Sequence, residues 1–397
     1  MTLRASKPIF NVREKLTELG RRFGLKGSEL VTAETVQEAR DLVSADRKNL
    51  IINGDLRIWQ RSTSATINTS VNTTHRTTDR WNNYHNTDGA VTESQSTDVP
   101  AGSGFYYSLK HIVTTADTSI ATTQYHCHKY DIEGYDVAHL MWGTSQAKPI
   151  TVSFWAKSSV TGDYGFCIRP GNTNSRLYVD TLTISQANTW KKYSFTVPGC
   201  PDGTWEKTTN SGMQIQISHS MGTEYQTSTL KQWITALDVS PTTQVNWMST
   251  VGNTWYITGL QVEVGKNATE FEHRSYAEEL ALCQRYFYIN GGTQHQIISQ
   301  AFSPHTTEIA VAWPHPTEMR AVPTVTISST NNNNTDFYFR TINNTGFSLT
   351  GNGRSITQMT KHHASIWFNG MSGVPQVPGQ VRVQNGRTAF IHLSAEL

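Results

Sequence analysis

Two histidines in the segment YHCHKY have a spacing that could serve metal chemistry. His126 and His128 alternate with Cys127, so a strand would place both imidazoles on one face and the thiol on the other. Imidazole nitrogen is a common zinc ligand, but two ligands are too few unless a third comes from elsewhere in the fold. We therefore interpret both histidines as strand positions whose polar side chains point outward.

Enzyme motifs are absent from the sequence. It contains no GxGxxG, P-loop, HExxH or GxSxG pattern and no zinc-type Cys/His quartet. A pair of carboxylates about 5 to 10 Å apart, as glycoside hydrolysis requires, could still be assembled by the fold from distant positions. We expect a protein that is not an enzyme and that has no catalytic residue.

The composition favours strands and turns. Of the 397 residues, 37% are hydrophobic and 16% are charged, and the remainder is rich in Thr, Ser, Asn, Gly and Gln. The net charge of +2 gives no reason to expect nucleic acid or an anionic membrane as a partner. No segment is apolar enough for a signal peptide or a membrane span, and the four cysteines form no CxxC pair, so we expect free thiols and no membrane insertion.

A charged segment of 48 residues precedes the β-rich remainder. In it 17 of 48 residues are charged, against 47 of the following 349. Capping signals at Asn11 and Thr32 and apolar residues at helical spacing predict two short amphipathic helices. Because such short helices are marginal in water, their apolar stripes require a partner surface. The stripes consist of Val12, Leu16, Leu19, Phe23, Val36, Leu42 and Val43.

The remainder predicts a mainly β fold in two parts. Alternation in ITVSFWAKS and WYITGLQVEV indicates a jelly-roll or β-sandwich domain over residues 49–272, with its first strand at 50–60 and its last at 255–264. Ser275 and Glu278 form a capping box that predicts a linker helix within 273–287. Residues 288–397 return to strand patterns and predict a smaller C-terminal β-sandwich.

Five segments between residues 49 and 328 form a distinctive combination: NLIINGDLRIWQRS, HRTTDRW, IEGYDVAHLMWGTSQAKPITVSFWAKSS, GLQVEVGKNATEFEHRSYAEELALCQRYF and MRAVPTVTIS. Together they resemble the fibre and other virion structural proteins of tailed bacteriophages. The resemblance implies a carbohydrate-binding-like jelly roll in the middle, a receptor-facing tip after it, and an N-terminal segment that anchors the protein on the virion.

On this resemblance we expect a fibre or spike subunit that is assembled in the host cytoplasm and located in the virion. Residues 1–48 would bind other virion proteins of the tail or capsid, the subunits would form a homotrimer, and the β-domains would attach to a glycan of the host surface. A capsid decoration or head-fibre protein without a ligand is the main alternative. A polysaccharide depolymerase is the less favoured one.

The resemblance also directs attention to candidate ligand-binding residues. Indole rings can stack on sugars while Asn side chains bond the hydroxyls, so Trp59, Trp81, Asn331 and Asn333 are the glycan-binding candidates. Jelly-roll carbohydrate modules often hold a structural Ca²⁺ ion through carboxylate and carbonyl oxygens. Asp55 in the first predicted strand and Glu263 in the last would meet if these strands were neighbours, and they are the candidate calcium ligands.

Overall fold

The computed structural model of the chain describes residues 48–397 except 69–70, 76, 172–175, 294, 330–335, 350–352, 358 and 370–371. Asn49–Leu397 form one compact unit. The predicted helical segment 1–48, with Val12, Leu16, Leu19, Phe23, Val36, Leu42 and Val43, lies outside the described residues, apart from Lys48.

The first part of the unit is a sandwich of two antiparallel sheets. Sheet I has six strands in the order β1-β4-β5-β15-β7-β10, and sheet II has seven in the order β13-β9-β8-β11-β6-β3-β2. The strands of sheet I are β1 (Ser64–Ile67), β4 (Ala90–Ser96), β5 (Ser108–Thr115), β7 (Ile150–Ser158), β10 (Lys191–Val197) and β15 (Thr254–Val264). Those of sheet II are β2 (Val71–Thr74), β3 (Trp81–Asn86), β6 (Tyr125–Glu133), β8 (Gly162–Arg169), β9 (Leu177–Ile184), β11 (Ser211–Met221) and β13 (Trp233–Ile234).

Alternating apolar residues of both sheets form the main core between them. Val152, Phe154 and Ala156 of β7 are fully buried, as the sequence pattern predicted, and Ile215 and Ile217 of β11 face them from sheet II. A short parallel pair, β12 (Gln226–Thr227) with β14 (Ser240–Pro241), lies beside sheet II. The predicted strand at 255–264 is confirmed as β15.

The predicted strand at 50–60 is wrong, because this segment is buried but irregular. Leu50 donates to Val262 and Leu260 donates to Gly54, so the segment does lie along β15. Asn53, however, has a φ of 58°, and its side chain bonds both the N–H and the carbonyl of Ile58. These side-chain bonds replace the ladder that a strand would form.

The second part of the unit contains two further sheets around their own core. Sheet III has the order β16-β25-β19, and sheet IV has the order β21-β20-β24-β17-β18-β23-β22. Sheet III consists of β16 (Phe287–Gly292), β19 (Thr324–Ser329) and β25 (Ala389–Ser394). Sheet IV consists of β17 (Ile297–His305), β18 (Glu308–Pro314), β20 (Phe337–Thr341), β21 (Gly346–Ser348), β22 (Gly353–Thr357), β23 (His363–Asn369) and β24 (Pro378–Val383).

The described helices are short. Helix α1 covers Gly134–Val137, and helix α2 covers Tyr276–Gln284 between the two parts. Ser275 caps α2 by accepting from the N–H of Glu278, as predicted. None of the described helices has the length and apolar character to traverse a bilayer. The mainly β fold class with its sandwiches is therefore confirmed, and the four buried cysteines are free thiols, as expected.

Candidate functional site

The side of sheet II that faces away from the main core carries a row of polar side chains. Strand register places Asn82 of β3 opposite Lys129 of β6, and Lys129 opposite Gln216 of β11. In the next row, Asp131 of β6 lies opposite Gln214 of β11, which is opposite Arg169 of β8. We call these residues, together with Tyr84 of β3, the outer face of sheet II. They are Asn82, Tyr84, Lys129, Asp131, Arg169, Gln214 and Gln216.

This polar face is shielded from water. Lys129 is 8% exposed and Asp131 is 5% exposed, whereas Tyr84 and Arg169 are half-buried. Burial lowers the pKa of Lys129 and raises the pKa of Asp131. The Lys129 ammonium lies 3.4 Å from the centre of the Tyr84 ring, so a cation–π contact partly replaces its lost hydration.

Several polar atoms of the outer face of sheet II have no hydrogen-bond partner among the described residues. They are both amide atoms of Asn82, Oε1 of Gln214 and Nε of Arg169. Asp131 is better satisfied, since it accepts from Ser211 Oγ at 2.5 Å and from Gln214 Nε2 at 2.9 Å. Each buried polar atom without a partner costs about 1 to 3 kcal/mol, so this face is less well satisfied than an ordinary sheet surface.

Other parts of the unit flank this face at both ends. Beyond the row of Tyr84, a small apolar cluster that includes Cys127, Cys167 and Met221 packs on sheet II. At the opposite end, Glu133 accepts from Arg285 at 2.7 Å and from the Tyr286 hydroxyl at 2.8 Å. The polar residues therefore lie between an apolar cluster at one end and the start of the second part at the other.

The two predicted glycan-binding tryptophans lie in different surroundings. Trp81 is 3% exposed, its ring packs edge-on against Tyr130, and its Nε1 donates to Asn53. This position favours a structural role. Trp59 is half-buried against the main core, and its Nε1 donates to Leu56. Its role in glycan binding stays a prediction.

The predicted tip residues Asn331 and Asn333 lie outside the described residues. They follow β19 and precede β20 in the second part of the unit. Nothing in the structure tests their role, which stays a prediction.

The candidate calcium ligands have separate partners. Asp55 forms an ion pair with Arg57, which already supplies a positive charge at this carboxylate, although Oδ1 of Asp55 has no partner among the described residues. Glu263 accepts at both carboxylate oxygens from Thr269. These contacts give no shared oxygen cage for Ca²⁺. Calcium binding by Asp55 and Glu263 stays a prediction.

The interpretation of His126 and His128 as outward positions is wrong. Both imidazoles point into the main core between sheets I and II, and both are at most 1% exposed. His126 stacks on Trp247 with 5.7 Å between ring centroids. Alternation correctly placed the two side chains on one face, but it could not tell which face is covered.

Sequence reasoning missed the outer face of sheet II as a site. Its one signal was the alternation in MQIQIS, where Gln214 and Gln216 alternate with apolar residues. That pattern is equally typical of a plain solvent face. The shielding that distinguishes this face comes from segments far away in the chain, which no local pattern reveals.

No family model matches the chain, and no curated protein matches it. Solved structures that match part of the chain include the family 11 carbohydrate-binding module of cellulase Lic26A-Cel5E of Clostridium thermocellum, at 10% identity and TM-score 0.27, covering 48% of this chain and 90% of that one. The CBM22-1 xylan-binding domain of Paenibacillus barcinonensis Xyn10C has 9% identity and TM-score 0.26, covering 57% and 100%.

A further structure that matches part of the chain is the enzymatically active domain of tailspike protein 4 of bacteriophage CBA120. It has 16% identity and TM-score 0.28, and the match covers 55% of this chain. The match spans only 21% of the tailspike chain.

Proposed function

We propose that the outer face of sheet II binds a glycan, and that the protein is a non-catalytic structural component of a phage virion, a fibre or spike subunit. The observation that carries the glycan proposal is the row of amide and charged side chains that strand register places on this face beside the half-buried ring of Tyr84. The virion role is supported by the resemblance of the segments between residues 49 and 328 to tailed-phage structural proteins.

A glycan suits the chemistry of this face better than an apolar ligand does. Asn82, Gln214 and Gln216 offer amide donors and acceptors in fixed register, which matches the mixed donor and acceptor character of sugar hydroxyls. Tyr84 at the edge offers a half-buried ring on which a sugar can pack. Lys129 and Arg169 add two positive charges and Asp131 adds one negative charge, so the face has a small net positive charge and suits a neutral or weakly acidic glycan.

The carboxylates near this face support binding rather than hydrolysis. Asp131 is already bonded to Ser211 and Gln214, and Glu133 is held by Arg285 and Tyr286. A glycosidase requires one carboxyl group that protonates the leaving group and a second that is free to act as a base or nucleophile. A reducing-end assay on bacterial capsule and lipopolysaccharide tests this part, and we expect no release of reducing ends.

The glycan proposal is tested with the full chain on an array of bacterial capsule and lipopolysaccharide glycans. We expect retention on a subset of glycans, with Gln216→Ala and Tyr84→Ala each weakening binding by about tenfold or more. Tyr256→Ala is the matched control, because Tyr256 is a half-buried tyrosine on the outer side of sheet I. Absence of retention, or equal losses from Tyr84→Ala and Tyr256→Ala, would contradict the assignment of the site.

The virion proposal assigns residues 1–48 to binding other virion proteins and the β-domains to the host surface, in a homotrimer. Many copies on one particle would convert weak glycan binding into strong attachment. Deletion of residues 1–48 should leave a folded protein that no longer enters particles. Its continued incorporation into virions would contradict the anchor.

A further inference from the structure

A cluster of five histidines and one glutamate lies in the main core between sheets I and II. Each imidazole is at most 1% exposed, and Glu93 is 2% exposed. Glu93 and His111 belong to β4 and β5 of sheet I, and the other histidines belong to β3, β6 and β11 of sheet II. The six residues are His85, Glu93, His111, His126, His128 and His219. This cluster is separate from the outer face of sheet II.

Contacts within the cluster determine where the imidazole protons lie. His85 Nε2 is 3.2 Å from the carbonyl oxygen of Gly89, which can only accept, so this nitrogen carries a proton. Neutral His85 then accepts at Nδ1, 3.2 Å from Nδ1 of His126, which must be the donor. Neutral His126 accepts in turn at Nε2, 3.3 Å from Nδ1 of His111.

This chain of donors leaves Nε2 of neutral His111 without a proton. Its lone pair faces the Glu93 Oε2 atom at 3.0 Å and the Nε2 atom of His128 at 2.8 Å. A carboxylate oxygen and an imidazole lone pair repel each other at this distance, whichever way His128 is protonated. A positive charge between these atoms would remove the repulsion, either as a metal ion or as a proton shared by Glu93 and His111.

The surroundings orient the same atoms as ligands. Thr77 and Asn83 donate to the two oxygens of Glu93, which fixes the carboxylate. One ligand atom each from Glu93, His111 and His128 lie within 4.8 Å of one another. His219 sits at a β-bulge of β11, and neither of its ring nitrogens has a partner among the described residues. Its ring centroid is 4.7 Å from that of His128.

We propose that Glu93, His111 and His128 bind one divalent transition-metal ion of the zinc class in the core. His219 groups with His111 and His126 instead, so its ring would have to move to supply a fourth ligand. Two or three imidazoles with a carboxylate are a donor set that Zn²⁺ accepts, and tetrahedral coordination at about 2.0 to 2.1 Å separates ligand atoms by roughly 3.3 Å. The observed separations of 2.8 and 3.0 Å therefore need to open by only a few tenths of an ångström.

The role of this metal would be structural. Its ligands come from β4 and β5 on one side and β6 on the other, so the ion would join the two sheets through the middle of the core. The site is enclosed, which suits a four-coordinate structural ion rather than a catalytic ion with an open position. Binding to the folded state alone would add directly to the free energy of unfolding.

The first test uses untagged full-length protein purified from zinc-supplemented medium. We expect inductively coupled plasma mass spectrometry to find about one zinc ion per chain. Exchange into Co²⁺ should produce visible absorption bands typical of a tetrahedral nitrogen and oxygen site. The competing occupant of the same position is a single proton shared by Glu93 and His111. Less than about 0.1 metal ion per chain together with no cobalt bands would overturn the metal site in favour of that proton.

A second test uses a variant that should fold without metal, so that a folding defect cannot be mistaken for loss of the metal site. In Glu93→Gln the amide can donate to the bare Nε2 of His111, so the variant should fold without metal. We expect chelation to lower the melting temperature of the wild type and of the exposed control His363→Ala, but not that of Glu93→Gln. The wild type is also chelated for a prolonged time under partly denaturing conditions and then refolded. An unchanged melting temperature after this treatment would contradict the proposal.

Discussion

Arg80 donates from Nη1 to Oε2 of Glu396 at 2.5 Å, across 316 positions of the sequence. Both side chains are buried, and the guanidinium also lies 3.6 Å from the centre of the Tyr286 ring and donates to the backbone carbonyl of Asp131. Arg61 contributes a second ion pair to Glu396 at 2.9 Å. These contacts therefore link Arg80 of the first sandwich to the segment that follows β25 in the second part.

Removing one partner of this buried pair should be strongly destabilising. Arg80→Met leaves Glu396 with less compensating charge, and we expect the free energy of unfolding to fall by about 3 to 5 kcal/mol. Urea titration followed by tryptophan fluorescence measures the loss. The double variant Arg80→Met with Glu396→Gln should lose clearly less than the sum of the two single variants. Additive losses would show that the two groups do not interact.

The same glutamate should make stability depend on acidity. Burial opposes ionisation of Glu396, but attraction by His75, Arg80 and Arg61 outweighs it and lowers its pKa from 4.5 to about 2. Because the folded-state pKa is the lower one, its contribution of about 3 kcal/mol is present above pH 4.5 and is lost as the pH falls towards 2. The stability difference between wild type and Glu396→Gln should shrink by roughly half or more between pH 6 and pH 3. A difference that is constant over this range would contradict the assignment.

Gly54 should not tolerate a side chain. A Cβ atom at this position would overlap the carbonyl oxygen of Leu260. This oxygen cannot move aside easily, because Leu260 belongs to β15. We expect Gly54→Ala to lower the free energy of unfolding by about 2 kcal/mol or more. Gly346→Ala is the control, since its added Cβ would meet only the Tyr338 ring at 3.7 Å. Equal stability of the two variants would contradict the close contact between Gly54 and the carbonyl oxygen of Leu260.

The four thiols should be unreactive in the folded protein. All of them are buried, and burial raises the pKa of Cys127 to about 11 and that of Cys167 to about 12. A thiol reagent at pH 8 should label none of the four within minutes in the native state and all four after unfolding in denaturant. Rapid labelling of one native thiol would locate a region that opens.

Local patterns in the sequence predicted individual strands and helix α2. The alternation over Ile150–Ser158 and Thr254–Val264 gave both strands, and the capping residue Ser275 gave helix α2. The segment at 50–60 failed because Asn53 bonds its own neighbours through its side chain. The apolar residues of this segment have the pattern of a strand, but in the structure they pack into the core although their backbone is irregular.

The candidate sites depend on contacts that sequence patterns do not contain. His111 and His128 are 17 positions apart on different sheets, and His85 and His126 are 41 positions apart. Only the sandwich brings their ring nitrogens within contact. The same holds for Lys129 and Gln216, whose strands are neighbours in sheet II although about 90 residues separate them.

Strand β15 lies between β5 and β7 in the interior of sheet I, yet it is the last strand of the first sandwich to be synthesised. Until a ribosome has extended the chain past Val264, β5 and β7 each present an open edge to the solvent. Nascent or truncated chains that stop before this point would offer those edges to one another. Aggregation during expression should therefore be governed by how quickly residues 254–264 insert, and slower translation upstream of them would favour inclusion bodies.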